Sequence, residues 1–166
     1  ISSAFSCTEI VQCIYFYLMR PDGEGGSRDT FLMSKGHGCM IQYACLKELG
    51  ILEREALDRY CTSGGILGCH PDYGTPGIEA STGSLGHGMA MAVGMALAVK
   101  GRKQDSVIYV VLSDGELQEG STWEALLMGS SMGCSNLVAV VDNNDFQSLG
   151  RTSETHPNFY PLGAKL

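Results

Sequence analysis

The side chains best suited to chemistry sit in two polar turns, Ser113-Asp114-Gly115-Glu116 and Asp142-Asn143-Asn144-Asp145. Asp114 offers a carboxylate and Asn144 a side-chain carbonyl, and a backbone carbonyl at Phe146 could add a third oxygen. Such donors suit a hard cation, Mg²⁺ or Ca²⁺. Three protein oxygens are too few for a closed cage, so water or a phosphate would complete the shell. Gly115 lets a phosphate approach the backbone, at the expected start of a helix whose N–H groups favour an anion. Taken singly, an Asp-Gly after a strand is an ordinary turn, and Asp-Asn-Asn an ordinary strand exit or helix cap. Both together, each behind a strand, point to a magnesium diphosphate site.

Two short apolar runs position these turns. Residues 106–112 (SVIYVVL) and 136–141 (NLVAVV) read as strands buried on both faces of a parallel sheet. The stretch between them, to about residue 133, carries Trp123, Ala125, Leu126, Leu127 and Met128 at helical spacing. Both turns therefore lie at the carboxyl ends of parallel strands, where open α/β sheets bind ligands.

Upstream, residues 6–19 predict a helix capped by Ser6 or Thr8, and residues 20–30 a glycine-rich loop. Phe31-Leu32-Met33 predicts a short strand running into Ser34-Lys35-Gly36-His37-Gly38, which places His37 at a strand end. From the residues alone, His37 either satisfies turn carbonyls or does chemistry. Residues 39–50 form an amphipathic helix with Gly50 as its C′ residue, and 53–60 a short charged one. A glycine-rich stretch, 64–86, holds His70 before Pro71, which favours extended backbone there. Residues 87–100 (HGMAMAVGMALAVK) predict a helix poor in large side chains on every face, either a central core helix or a subunit interface. The tail after residue 150 is expected to wrap a neighbouring surface, with no role assigned to His156.

The whole is an α/β protein: one domain spanning 1–166, trimmed at either end, with a mostly parallel sheet and helices on both faces in three layers. Eleven basic and eighteen acidic residues give a net charge of -7, which argues against nucleic acid and anionic membranes as partners. Seven cysteines with no Cys-x-x-Cys pair suit reduced thiols in the cytoplasm. No apolar run is long enough for a membrane span, and no signal peptide is visible. A dinucleotide-binding domain is excluded by the lack of Gly-x-Gly-x-x-Gly between a first strand and helix.

Ser113-Asp114-Gly115 followed by Asp142-Asn143-Asn144 resembles the thiamine diphosphate motif, with Ser113 where that family usually has Gly. The wider segments DGELQEGSTWEAL and NLVAVVDNNDFQSLG resemble transketolases, and the SKGHG turn resembles the split transketolases, in which this domain is a separate polypeptide. The resemblance implies the diphosphate-binding domain of the thiamine diphosphate fold, with Asp114, Asn144 and the Phe146 carbonyl on the metal. It implies Gly115, Glu116, Asn144, His37, Gly83, Ser84 and Leu85 around the cofactor, and His37 and His70 as catalytic residues. Two departures stand out: Cys69 within the family's Gly-His-Pro, and Ser84 and His87 within its Thr-Gly-Pro-Leu-Gly-Gln-Gly loop. Glu119 is implied at the subunit contact, although it also reads simply as a favourable charge at a helix start.

The implied reaction is transfer of a two-carbon ketol unit from a ketose (phosphate) to an aldehyde, using thiamine diphosphate and Mg²⁺ or Ca²⁺. The implied partner is a C-terminal transketolase-like subunit carrying the pyrimidine-binding domain and its activating glutamate, in a heterotetramer. This chain would then be inactive alone. Alternatives are a deoxyxylulose-phosphate synthase-like or 2-oxo acid dehydrogenase-like subunit, and a non-catalytic diphosphate-binding homologue. Donor and acceptor are not readable.

Overall fold

The computed structural model describes residues 2–23, 26–148 and 150–165. Glu24 and Gly25 of the 20–30 loop, Leu149, and the two end residues of the expected domain lie outside the described residues. Three parallel strands form the sheet in the order β1 (Thr30–Met33), β2 (Ile108–Ser113), β3 (Leu137–Asp142), so β2 is central. The ladder pairs Thr30 with Ile108 and Ile108 with Leu137, and closes with Ser113 opposite Asp142.

Alternation along the strands builds two cores. Phe31, Met33, Tyr109 and Val111 face one side with Cys7, Val11, Cys39, Tyr43 and Leu46, from helices α2 (Thr8–Cys13) and α3 (Cys39–Glu48) and the turn before α2. Leu32, Ile108, Val110 and Leu112 face the other with Met89, Ala92, Val93, Ala96 and Ala125, from α5 (Gly88–Gly101) and α6 (Gly120–Ser131). Every residue of β2 is buried. Each such aliphatic side chain stabilises the fold by about 1.5–3 kcal/mol, so the strand that delivers Asp114 is the hardest part of the molecule to move.

The structure corrects four expectations. β3 is not buried on both faces: its middle residues are exposed, and Val138 keeps 39% of its surface, because β3 is the edge of the described sheet. The 6–19 helix is three pieces, namely α1 (Ser2–Ser6), α2, and a π turn over Ile14–Leu18. Neither Ser6 nor Thr8 caps it, since Ser6 Oγ donates to Asp142 and Thr8 Oγ1 to the Ala4 carbonyl. Finally, Gly115 does not open an α-helix. A single 3-10 turn, Glu116–Gln118, follows it; Glu119 is extended, and α6 starts only at Gly120.

A short helix, α4 (Arg54–Asp58), follows α3, and Gly50 has the positive φ of a C′ residue. Beyond β3, a two-residue ribbon pairs β4 (Phe146–Gln147) with β5 (Gly150–Arg151), and α7 (Thr152–Thr155) begins the tail. The tail packs onto its own chain, back over the Asp114 turn, through the Tyr160 hydroxyl. No helix among the described residues is long and apolar enough to cross a membrane.

Candidate functional site

The parallel ladder brings the two polar turns side by side. The Asp114 amide donates to the Asp142 carbonyl at 3.2 Å, and the Asp145 amide donates to Asp114 Oδ2 at 2.8 Å. Asp114 is wholly buried. Its Oδ2 also accepts from Tyr160 Oη at 3.0 Å and Thr152 Oγ1 at 3.3 Å, whereas its Oδ1 accepts only the Gly115 N–H, at 2.9 Å. A carboxylate oxygen has two lone pairs, so Oδ1 keeps capacity for a cation. Burial and the nearby Asp114 push the Tyr160 hydroxyl up to about 12, which keeps it protonated and a donor at neutral pH.

In the second turn, Asn144 Nδ2 donates to Asp142 Oδ2 at 3.3 Å, and Asn144 Oδ1 accepts the Phe146 N–H at 2.8 Å. Asp142 Oδ2 also accepts from Ser6 Oγ at 2.6 Å and forms a buried ion pair with Lys35 Nζ. The Lys35 and Asp142 side chains are only 2% and 5% exposed.

Above these turns opens a cavity of about 700 Å³, within the range of small-molecule sites. Its lining brings together Lys35, His37, Gly83, Leu85, Ser113, Gly115, Asn144 and Phe146, with Ser6 and Gln147 at its sides. Six of the residues singled out from sequence thus share one wall system: His37, Gly83, Leu85, Gly115, Asn144 and Phe146. Asp114 lies buried beside it, next to Gly115.

Three others stand apart from that lining. Ser84 is exposed outside it. His70 is exposed and packs its ring against Gly83, where a Cβ would come within 2.7 Å of His70 Cδ2. Cys69 Sγ lies 3.3 Å from His70 Nδ1. Glu116 is fully buried: its Oε1 accepts the Ser34 hydroxyl and the Gly86 N–H, and its Oε2 has no partner. It clasps the Gly83–Gly88 loop from behind, and burial raises its pKa above the usual carboxylate range.

Shielding from water, with the Lys35 charge and His70 nearby, holds the His37 imidazole below its usual range. A neutral ring, one nitrogen donating and the other accepting, can then hydrogen-bond a ligand or carry a proton.

Close backbone approach shapes the opening. An added Cβ on Gly36 would lie 2.8 Å from the Gly83 amide nitrogen, so the His37 turn and the Gly83 loop meet main chain to main chain. Thr82 Oγ1 fastens the loop to the Met33 carbonyl at 2.6 Å.

The available donors suit a magnesium diphosphate. Asp114 Oδ1 and Asn144 Oδ1 are hard oxygens, each accepting one hydrogen bond. The walls at Gly83 and Gly115 carry no side chain that would hold a diphosphate off the backbone. Among the described residues no cluster of three or more His, Cys, Asp or Glu could hold a metal by itself, which agrees with a cation that takes its remaining ligands from a phosphate or water.

Sequence reasoning passed over Asp142, Ser6, Tyr160 and Thr152. Only Asp142 left a trace, at the head of its turn. The others act through pairings that span 38 to 136 positions and leave no local pattern.

Comparison with known proteins agrees with this geometry. Residues 3–158 match the family described as transketolase, thiamine diphosphate binding domain. One of the two subunits of an apulose-4-phosphate transketolase from Phocaeicola vulgatus is 43% identical over 157 residues, covering 93% of this chain and 56% of that protein. A 6-deoxy-6-sulfo-D-fructose transketolase subunit from a Clostridium species is 38% identical, covering 95% of this chain and 58% of that protein. A transketolase structure from Leishmania mexicana superposes with a TM-score of 0.79 at 31% identity, covering 93% of this chain and 28% of that one. The chain spans little more than half the length of these two curated relatives. Matched along nearly all of its length, the chain belongs to the family of the transketolase thiamine diphosphate binding domain.

Proposed function

We propose that this chain is the diphosphate-binding subunit of a split, cytoplasmic transketolase-like enzyme that moves a two-carbon ketol unit from a ketose (phosphate) to an aldehyde. The observation that carries the reading is the meeting of Asp114 and Asn144 beside the cavity that also holds His37 and Gly83. Asp114, Asn144 and the Phe146 carbonyl would hold Mg²⁺ (or Ca²⁺), and Gly115, Gly83 and Leu85 would border the diphosphate and thiazolium. Ser84 and Glu116 belong to the same loop system, Glu116 acting by holding Gly86 in place.

When bound, thiamine diphosphate supplies the electron sink for breaking a C–C bond next to a carbonyl. The chain's own work is to exclude water, orient the substrate and move protons. His37 and His70 would do the last two, by hydrogen bonds to sugar hydroxyls.

Three observations support a partner chain carrying a pyrimidine-binding domain and its activating glutamate, in a heterotetramer. Two curated relatives carry subunit names, this domain matches 28% of a transketolase chain, and Phe5, Tyr17, Leu127 and Met128 are exposed apolar side chains.

Calorimetric titration with thiamine diphosphate plus Mg²⁺, set against ATP plus Mg²⁺, tests the reading. Binding of the first and not the second is expected; preference for ATP would overturn it. Ketol transfer should need the added partner chain, and activity of this chain alone would refute the half-site arrangement.

A further inference from the structure

We propose that Asp142, clamped by Lys35, is a positioning residue that sets the orientation of the Asn144 amide and couples the two loop tips. The inference rests on the magnesium diphosphate reading of the site and assigns a role to two residues outside the metal and cofactor set.

The geometry argues through hydrogen-bond polarity. An ionised carboxylate only accepts, so the branch of Asn144 that faces Asp142 Oδ2 must be its NH₂. That contact is 3.3 Å. The carbonyl branch is thereby turned the other way, onto the Phe146 side, where Oδ1 takes the Phe146 N–H at 2.8 Å. Both Asn144 and Phe146 line the cavity. The outcome is a hard oxygen held on the cavity side of the loop before any cation arrives.

Lys35 makes this possible. A buried carboxylate without a counter-charge takes up a proton, and a protonated Asp142 could donate, removing the polarity that fixes the amide. Lys35 Nζ closes on the same Oδ2, and Ser6 Oγ adds a third donor at 2.6 Å. Lys35 leaves the end of β1, whereas Asp142 ends β3, so their pair spans the ends of all three strands. The Asp142 main chain completes the link, because its carbonyl accepts the Asp114 amide at 3.2 Å. One residue thus holds Asp114 by its backbone and Asn144 by its side chain.

Outer partners of metal ligands commonly change metal affinity by about 10–100-fold. The test uses the full-length protein and Mn²⁺ as a paramagnetic stand-in for Mg²⁺. Mn²⁺ affinity at saturating thiamine diphosphate and melting of the cofactor-free protein are measured for wild type, Asp142→Asn, and the charge-neutral Lys35→Met/Asp142→Asn pair. The pair should recover much of the thermal stability that Asp142→Asn loses, yet bind Mn²⁺ roughly 10–100-fold more weakly than wild type. Mn²⁺ affinity within about twofold of wild type in the stable pair would overturn the proposal and leave Asp142 a purely structural role.

Wild-type protein that binds thiamine diphosphate but never Mn²⁺ would sink the metal reading, and this proposal with it. A measurement on the wild type alone guards against variants that do not fold. The two Asn144 Nδ2 protons should give separate, exchange-protected side-chain amide resonances without cofactor, and a freely exchanging pair would overturn the assignment.

Discussion

Replacing Gly36 by alanine perturbs the site at the point where its two turns touch. The new Cβ would lie 2.8 Å from the Gly83 nitrogen and 2.9 Å from both the Gly83 Cα and the Thr82 carbonyl carbon. Ordinary contact begins at 3.4 Å, so one loop must retreat by about 0.6 Å. Retreat is resisted from both sides. Thr82 is tied to the Met33 carbonyl, and Gly83 already packs against the His70 ring. Overpacking of this kind costs about 1–3 kcal/mol, less the roughly 0.4–1 kcal/mol that alanine contributes by restricting the unfolded chain. At about 2–4 °C per kcal/mol for a chain of this size, Gly36→Ala should lower the melting temperature by a few degrees. The larger effect should fall on function, because His37 and Gly83 stand on either side of the contact. Displacements near 1 Å can cost about 10²-fold, so a weakening of roughly tenfold is expected for thiamine diphosphate in calorimetry. Unchanged melting together with unchanged cofactor affinity would refute the close-approach argument.

Glu116 has a folded-state pKa raised by burial, so the folded protein holds a proton that the unfolded chain has released. Its contribution to stability is present below the ordinary carboxylate pKa and is lost as pH rises through the raised value. Denaturant titrations across pH should therefore show Glu116→Gln losing less stability than wild type on the alkaline side, and parallel profiles would contradict this. Tyr160→Phe removes one donor from Asp114; it should cost about 0.5–1.5 kcal/mol in chemical denaturation and loosen the tail, seen as faster proteolysis after residue 152. Alkylation of the exposed Cys69 with N-ethylmaleimide, mapped by peptide mass spectrometry, should lower ketol transfer in the reconstituted enzyme by crowding His70, and Cys69→Ser should be resistant. Equal inhibition of that variant would move the effect to exposed Cys13 or Cys61.

Much of the site was legible because it rests on local patterns. Short β-branched runs gave β2 and β3 nearly to the residue, and a small-residue turn after each marked the ligand edge of the sheet. The paired turns, the histidine turn at 34–38 and the Gly83 loop converge as expected. Burial of β3 was misread because an apolar run looks the same whether or not a neighbour covers it. The break after Gly115 was missed because it depends on Glu119 taking an extended backbone, which the acidic, helix-compatible sequence hides. Lys35 reads locally as a turn lysine in water. Its burial depends on a carboxylate 107 positions away that no nearby residue announces. Likewise the tail was unreadable until Tyr160 could be seen reaching Asp114.

The three-strand ladder serves the molecule as a ruler. Because Ser113 stands opposite Asp142, and Met33 opposite Val111, the heights at which the functional turns leave the sheet are set by strand register alone. One residue inserted in β2 would lift Asp114 by about 3.3 Å and swap the two faces of the strand, separating the oxygens and unpacking both cores at once. Variation in such a protein is therefore free to lengthen or recolour the loops, but it must leave the count of residues along each strand untouched.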